Sequence, residues 1–96
     1  MNLFLDNFEL LEEKSELLKT MGHPLRLSIV ELLSNNPKMS VTEIYTELEI
    51  EQAVASHHLR IMKNGGVVIS EKDGKNSFYS LTHDNIKIIY ESIFSF

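Results

Sequence analysis

Between Gln52 and Lys75 the chain gathers side chains whose types and spacing suit contact with nucleic acid. On a helix advancing 100° per residue, Gln52, Ala53, Ser56, His57, Arg60, Lys63 and Asn64 share one arc of about 140°. Val54, Ala55, His58, Leu59, Ile61 and Met62 fill the opposite side. Small residues early on the polar arc let a helix come close to base edges. A glutamine such as Gln52 can pair bidentately with adenine, and an arginine such as Arg60 with guanine. Lys63 suits a phosphate, as do Lys72 and Lys75 on the tip that follows, which would lie by the minor groove if the helix occupies the major groove. Each piece has a plain alternative: a solvated helix face for the arc, and a solvated turn for the tip.

Other chemistry finds less to work with. Adjacent helical residues point about 100° apart, so His57 and His58 cannot readily chelate one ion. His58 falls in the middle of the apolar side, where a packed histidine with a hydrogen-bond partner is the expectation. His57 stands at the edge of the polar arc, within reach of a phosphate or base. The chain has no cysteine, which removes disulfides, thiolate metal sites and thiol redox switching. No Ser/His/Asp, Cys/His or paired-carboxylate arrangement and no phosphate-cradling glycine loop stands out, so no enzyme is expected.

The elements that must carry the arc can be read along the chain. Phe4, Phe8, Leu10, Leu11, Leu17, Leu18 and Met21 recur at helical spacing and predict a first helix from about Asp6 to Met21, ended by Gly22. Pro24 suits the first turn of a second helix, with Leu25, Ile29, Leu32 and Leu33 as its buried stripe, ended by Ser34-Asn35-Asn36-Pro37. Ser40 and Glu43 have the spacing of a capping box, opening a third helix from Val41 to Leu48. A tight connection at Glu49-Ile50 leads to the fourth helix, from about Glu51 to Asn64. Two short helices so joined suggest a helix-turn-helix. Val67–Lys72 and Ser77–Leu81 read as strands around an Asp73-Gly74 turn, with Phe78, Tyr79 and Leu81 packing the hairpin onto the core. Thr82 is placed to cap a last helix with Ile86, Ile89, Tyr90 and Ile93 on one face.

A chain of 96 residues makes one domain, mainly α with a β-hairpin wing. Residues 40–64 would be its helix-turn-helix and 67–81 its wing. Net charge is −5, but residues 1–51 hold ten acids and four bases, whereas residues 52–96 hold four acids and five bases. The acid thus lies away from the arc, and the basic surplus is small, implying modest affinity with strong salt dependence. The acidic N-terminus lacks the basic region of a signal peptide, and no apolar run approaches the ~20 residues of a membrane span, so the cytoplasm is the default expectation.

From Leu18 to Leu81 these pieces resemble, in order and spacing, the ArsR/SmtB family of small winged-helix bacterial repressors. Met21-Gly22-His23-Pro24-Leu25-Arg26-Leu27-Ser28-Ile29 is similar to the family's second helix. Gln52-Ala53-Val54-Ala55-Ser56-His57-His58-Leu59 is similar to its recognition helix, Asn64-Gly65-Gly66-Val67-Val68 to the segment after it, and Asp73-Gly74-Lys75 to Tyr79 to the wing. Glu51 departs from the pattern, standing where the family usually has serine; an exposed acid there would repel phosphate, though it suits a helix N-terminus.

The resemblance implies a winged helix-turn-helix of order α-α-α-α-β-β-α that represses transcription by occupying double-stranded DNA. It implies a homodimer joined through residues 1–21 and 82–96, and two-fold symmetry then implies an imperfect palindromic operator. The plain alternative is that both apolar stripes bury within one monomer, which a chain this small achieves with difficulty. Gln52, Ala53, Ser56, His57 and Arg60 would face the major groove, with Lys63, Lys72 and Lys75 on the backbone. Many relatives begin the third helix with a Cys-x-Cys metal motif; the matching positions here are Ser40 and Thr42, poor ligands and good caps. Another family site uses a carboxylate and histidines on the last helix, matched here by His83 and Asn85, with the second pair at Phe96 and beyond. His83, Asp84 and Glu91 are too few to propose a metal site, so no metal or other cofactor is expected. The inducer is left open. The competing reading is a winged-helix protein-interaction module that does not bind DNA, which the net charge and Glu51 favour slightly.

Overall fold

The structure, a computed structural model, describes residues 6–96. Its order is α1 (Phe8–Met21), α2 (Pro24–Asn35), β1 (Met39–Ser40), α3 (Val41–Glu47), α4 (Gln52–Asn64), β2 (Val68–Asp73), β3 (Asn76–Leu81) and α5 (Asp84–Ile93). All five predicted helices and both predicted strands are present. Phe4, assigned to the first stripe, lies outside the described residues.

Local chemistry accounts for most of the boundaries. Pro24 opens α2, and the His23 ring accepts the Leu25 N–H at 3.1 Å, so an imidazole serves as the N-cap. At α3 the capping box is complete: Ser40 Oγ accepts the Glu43 N–H at 3.1 Å, and the Glu43 carboxylate accepts the Ser40 N–H at 2.9 Å. These hydrogen bonds hold the Glu43 carboxyl below its ordinary pKa by favouring the charged form. After α4, the Val67 N–H reaches Met62 O at 2.9 Å and the Gly66 N–H reaches Lys63 O at 3.2 Å, a Schellman stop. That stop places Gly66 at φ 80°, where glycine is favoured.

The core is a single cluster in which Ile29, Val30 and Leu33 of α2 meet Ile44 of α3, Leu59 and Met62 of α4, Val67, Val68 and Ile86. Within α2 the expected stripe shifts: Val30 is fully buried, while Leu25 and Leu32 are only half-buried. No helix among the described residues is long and apolar enough to cross a membrane.

The sheet departs from expectation in three ways. It has a third strand: β1 pairs antiparallel with β3, giving the order β1-β3-β2. Two residues are too few to show a strand periodicity, so Met39-Ser40 reads in the sequence only as the lead-in to α3. The hairpin turn lies one residue later than Asp73-Gly74. Asp73 pairs with Asn76, leaving Gly74-Lys75 as the loop, with Gly74 at φ 65°. A positive φ at the first loop position alone is the II′ pattern, which puts the glycine first. Finally, Tyr79 and Leu81 pack against the core as expected, but Phe78 does not; alternation sends it to the other face, where Lys38 Nζ lies 5.2 Å from its ring centre.

Thr82 is not the cap of α5. His83 holds that position without a side-chain cap bond, while the Thr82 hydroxyl donates to Gly66 O at 2.8 Å. The Thr82 N–H also reaches Val67 O at 3.1 Å. The end of the wing is thereby tied to the turn that ends α4.

Candidate nucleic-acid interface

The arc read from the sequence is the face α4 presents to solvent. Gln52, Ala53, Ser56, His57, Arg60, Lys63 and Asn64 are all exposed. On the opposite side Ala55, Leu59 and Met62 are fully buried, His58 is buried, and Val54 and Ile61 are half-buried. Apolar residues at this spacing set the rotation of the helix, and the rotation decides which polar side chains face outward.

α3 and the turn after it set the position of α4. Ile44 of α3 is fully buried in the shared core. The chain then reverses within a few residues: the Glu49 N–H bonds to Thr46 O at 3.2 Å and the Ile50 N–H to Tyr45 O at 3.1 Å. Glu49 takes the left-handed conformation, φ 54°, which is uncommon for a residue with a side chain. Glu51 is exposed at the N-cap, and its side chain makes no capping bond. With Glu47 and Glu49, also exposed, it forms an acidic margin beside Gln52.

On the arc, His57 Nδ1 and Arg60 Nη2 are 3.3 Å apart. Arginine has donors only, so His57 accepts with Nδ1, and Arg60 retains further N–H groups for an outside acceptor. Lys72 and Lys75 are exposed, the first near the end of β2 and the second in the turn itself. Nearby, Lys38 sits 3.3 Å from the Glu71 carboxylate, an exposed pair of small energetic value.

His58 is the packed histidine the sequence predicts, and its partners explain why. Its ring lies 4.5 Å from that of His23, and its Nδ1 is 3.4 Å from Arg26 Nη1. Burial, then the neighbouring His23, Arg26 and His57, push its pKa below the ordinary histidine value. Arg26, His23 and Thr20 support α4 without belonging to its outer face, and sequence reasoning gave them no such part. No local signal marks that part, because Arg26 and His58 lie 32 positions apart and only the fold brings them together.

An open groove lies between α1, α5 and the base of the wing, lined in part by Glu13, Leu17, Thr82, His83, Asn85 and Ile89. His83 and Asn85 thus share one surface. Among the described residues, no three His, Asp or Glu side chains are grouped to hold a metal ion.

Comparison with known proteins agrees with this geometry. Residues 23–70 match the family described as bacterial regulatory protein, arsR family. An uncharacterised HTH-type transcriptional regulator of Methanocaldococcus jannaschii is 39% identical over 82 residues, covering 85% of this chain and 92% of that protein. The transcriptional repressor PagR of Bacillus anthracis is 36% identical over 90 residues, covering 91% of this chain and 90% of its own. The crystal structure of PagR superposes with a TM-score of 0.83 at 33% identity, over 91% of this chain and 99% of that one. The transcriptional repressor BigR from Xylella fastidiosa gives a TM-score of 0.81 at 28% identity, over 99% and 95%. The match spans the second helix, the helix-turn-helix and the start of the wing, the elements that shape the exposed arc, and the chain belongs to the arsR family of bacterial regulatory proteins.

Proposed function

We propose that this DNA-binding transcriptional regulator acts as a dimeric repressor whose α4 lies in the major groove of an imperfect palindrome. In this reading Gln52, Ala53, Ser56, His57 and Arg60 face base edges. Lys63, Lys72 and Lys75 hold the backbone. Promoter occlusion follows from occupancy, in the cytoplasm, and release follows from whatever alters the angle between the two recognition helices. The observation that carries the reading is the clean division of α4: every residue of the polar arc is exposed, and every residue of the apolar side is at least half-buried.

The dimer is supported by what the two outer helices leave uncovered. Phe8, Leu10 and Leu18 of α1 remain exposed, as do Ile88 and Ile93 of α5 and the following Phe94. Of these, Leu18 and Ile93 line one surface recess between α1 and α5, and apolar exposure that gathers into a patch marks an interface.

Selection from random duplexes at low salt tests the proposal. The expected product is a two-fold related site with half-sites about 10 base pairs apart, or a multiple of that spacing. Absence of any enriched duplex, alongside a stable complex with another protein, would instead support an interaction module.

A further inference from the structure

We propose that Arg26 is a positioning residue for the recognition helix, holding α4 at a fixed setting through His58. The inference rests on α4 being the DNA-reading element and adds the device that sets it.

Arg26 is half-buried on α2 and joins two other elements. Its Nε donates to Thr20 O, in the last turn of α1, at 2.6 Å. Its Nη1 lies 3.4 Å from His58 Nδ1, in the middle of α4. One planar guanidinium therefore bridges the C-terminal end of α1 and the buried side of α4, and its rigid fork fixes the direction of both contacts. Thr20 contributes a second restraint. Its buried side chain stands against Gly65, just past the end of α4, and its hydroxyl donates to Glu16 O at 2.9 Å. α4 is thus held at its middle through Arg26, which is bonded to Thr20 O, and at its end by the Thr20 side chain itself.

The contact depends on the charge state of His58. Because arginine cannot accept a hydrogen bond, His58 must offer a lone pair at Nδ1. The groups facing His58 are His23, at the N-cap of α2, Arg26 of α2, and His57 of its own helix. None is an acid. His23 uses its own Nδ1 to accept the Leu25 N–H. A proton on His58 Nδ1 would remove the acceptor and set a second cation against Arg26. The depressed pKa of His58 agrees in direction. The folded arrangement binds fewer protons than a released His58, so its contribution is complete above the ordinary histidine value of 6.5 and is lost as pH falls below it.

The test uses the full chain and the duplex recovered by selection, with affinity measured from about pH 7.5 down to 5.5, spanning the histidine range. Because His57 faces the duplex in both proteins, the comparison is with His58→Gln: wild type is expected to lose about ten-fold more affinity than that variant across the range. His58→Gln keeps a neutral acceptor, so it should bind near the wild-type level at high pH and lack the part of the acid loss that His58 causes. Arg26→Gln should bind about ten-fold more weakly at high pH while keeping its circular dichroism spectrum. Histidine 15N shifts of the free protein report an unprotonated Nδ1 on His58 at pH 7.5 if the contact stands. A His58→Gln profile parallel to wild type, or a protonated Nδ1, overturns the proposal. If Arg26→Gln does not fold, the His58→Gln profile and the 15N shifts decide. Failure to recover any duplex, with the expected 15N shifts, counts against the DNA reading and leaves the contact standing.

Discussion

At the scale of single residues, close packing around α4 leaves little slack. A Cβ on Gly65 would lie 2.8 Å from Thr20 Cβ and nearer still to Thr20 Oγ1. Thr20 is buried and hydrogen-bonded, so it cannot simply turn away. Gly65→Ala is expected to cost about 1–3 kcal/mol through overpacking. Thermal unfolding should show a fall of several degrees, partly recovered by adding Thr20→Ala, since residues in contact are not additive. An unchanged midpoint for Gly65→Ala would contradict the contact. In the sequence Gly65 belongs only to the segment that follows the recognition helix, and of the two adjacent glycines Gly66 alone takes a positive φ. The reason for Gly65 is a neighbour far away in the chain, which periodicity cannot show. His58 was legible because its place on the wheel is local information. Arg26 was not, because its two partners come from α1 and α4.

At the scale of elements, the helices were legible because amphipathic spacing, Gly22, Pro24 and the Ser40/Glu43 box all act within a turn or two. β1 was missed because its pairing with β3 is long-range. The one-residue shift of the hairpin turn matters for the site. It makes Lys75 a loop residue and leaves Lys72 in β2 beside the turn, both exposed. Replacing both by alanine should weaken binding to all duplexes alike and reduce the slope of log affinity against log salt by about 2, one per lost phosphate contact. Titrations of selected and scrambled duplexes at several salt concentrations check this; an unchanged slope would mean that the tip does not touch the backbone.

At the scale of the whole molecule, the two ends of the chain and the middle divide the work. The middle presents the polar arc of α4 on a core shared by α2, α3, α4 and the strands. The ends, α1 and α5, retain exposed apolar side chains that a second copy would cover. The acidic N-terminal half and the small basic surplus after it mean that charge supplies little of the selectivity. On the proposed reading selectivity rests on Gln52 and Arg60, and the direct measurement compares wild type with Arg60→Ala plus Gln52→Ala on the selected duplex and on a scrambled one. A good bidentate base contact discriminates by about 1–3 kcal/mol, so losing two should reduce the selected-to-scrambled affinity ratio by about thirty-fold or more. An affinity ratio equal to that of the wild type, in a variant that still folds, would contradict the assignment of α4 as the helix that reads DNA.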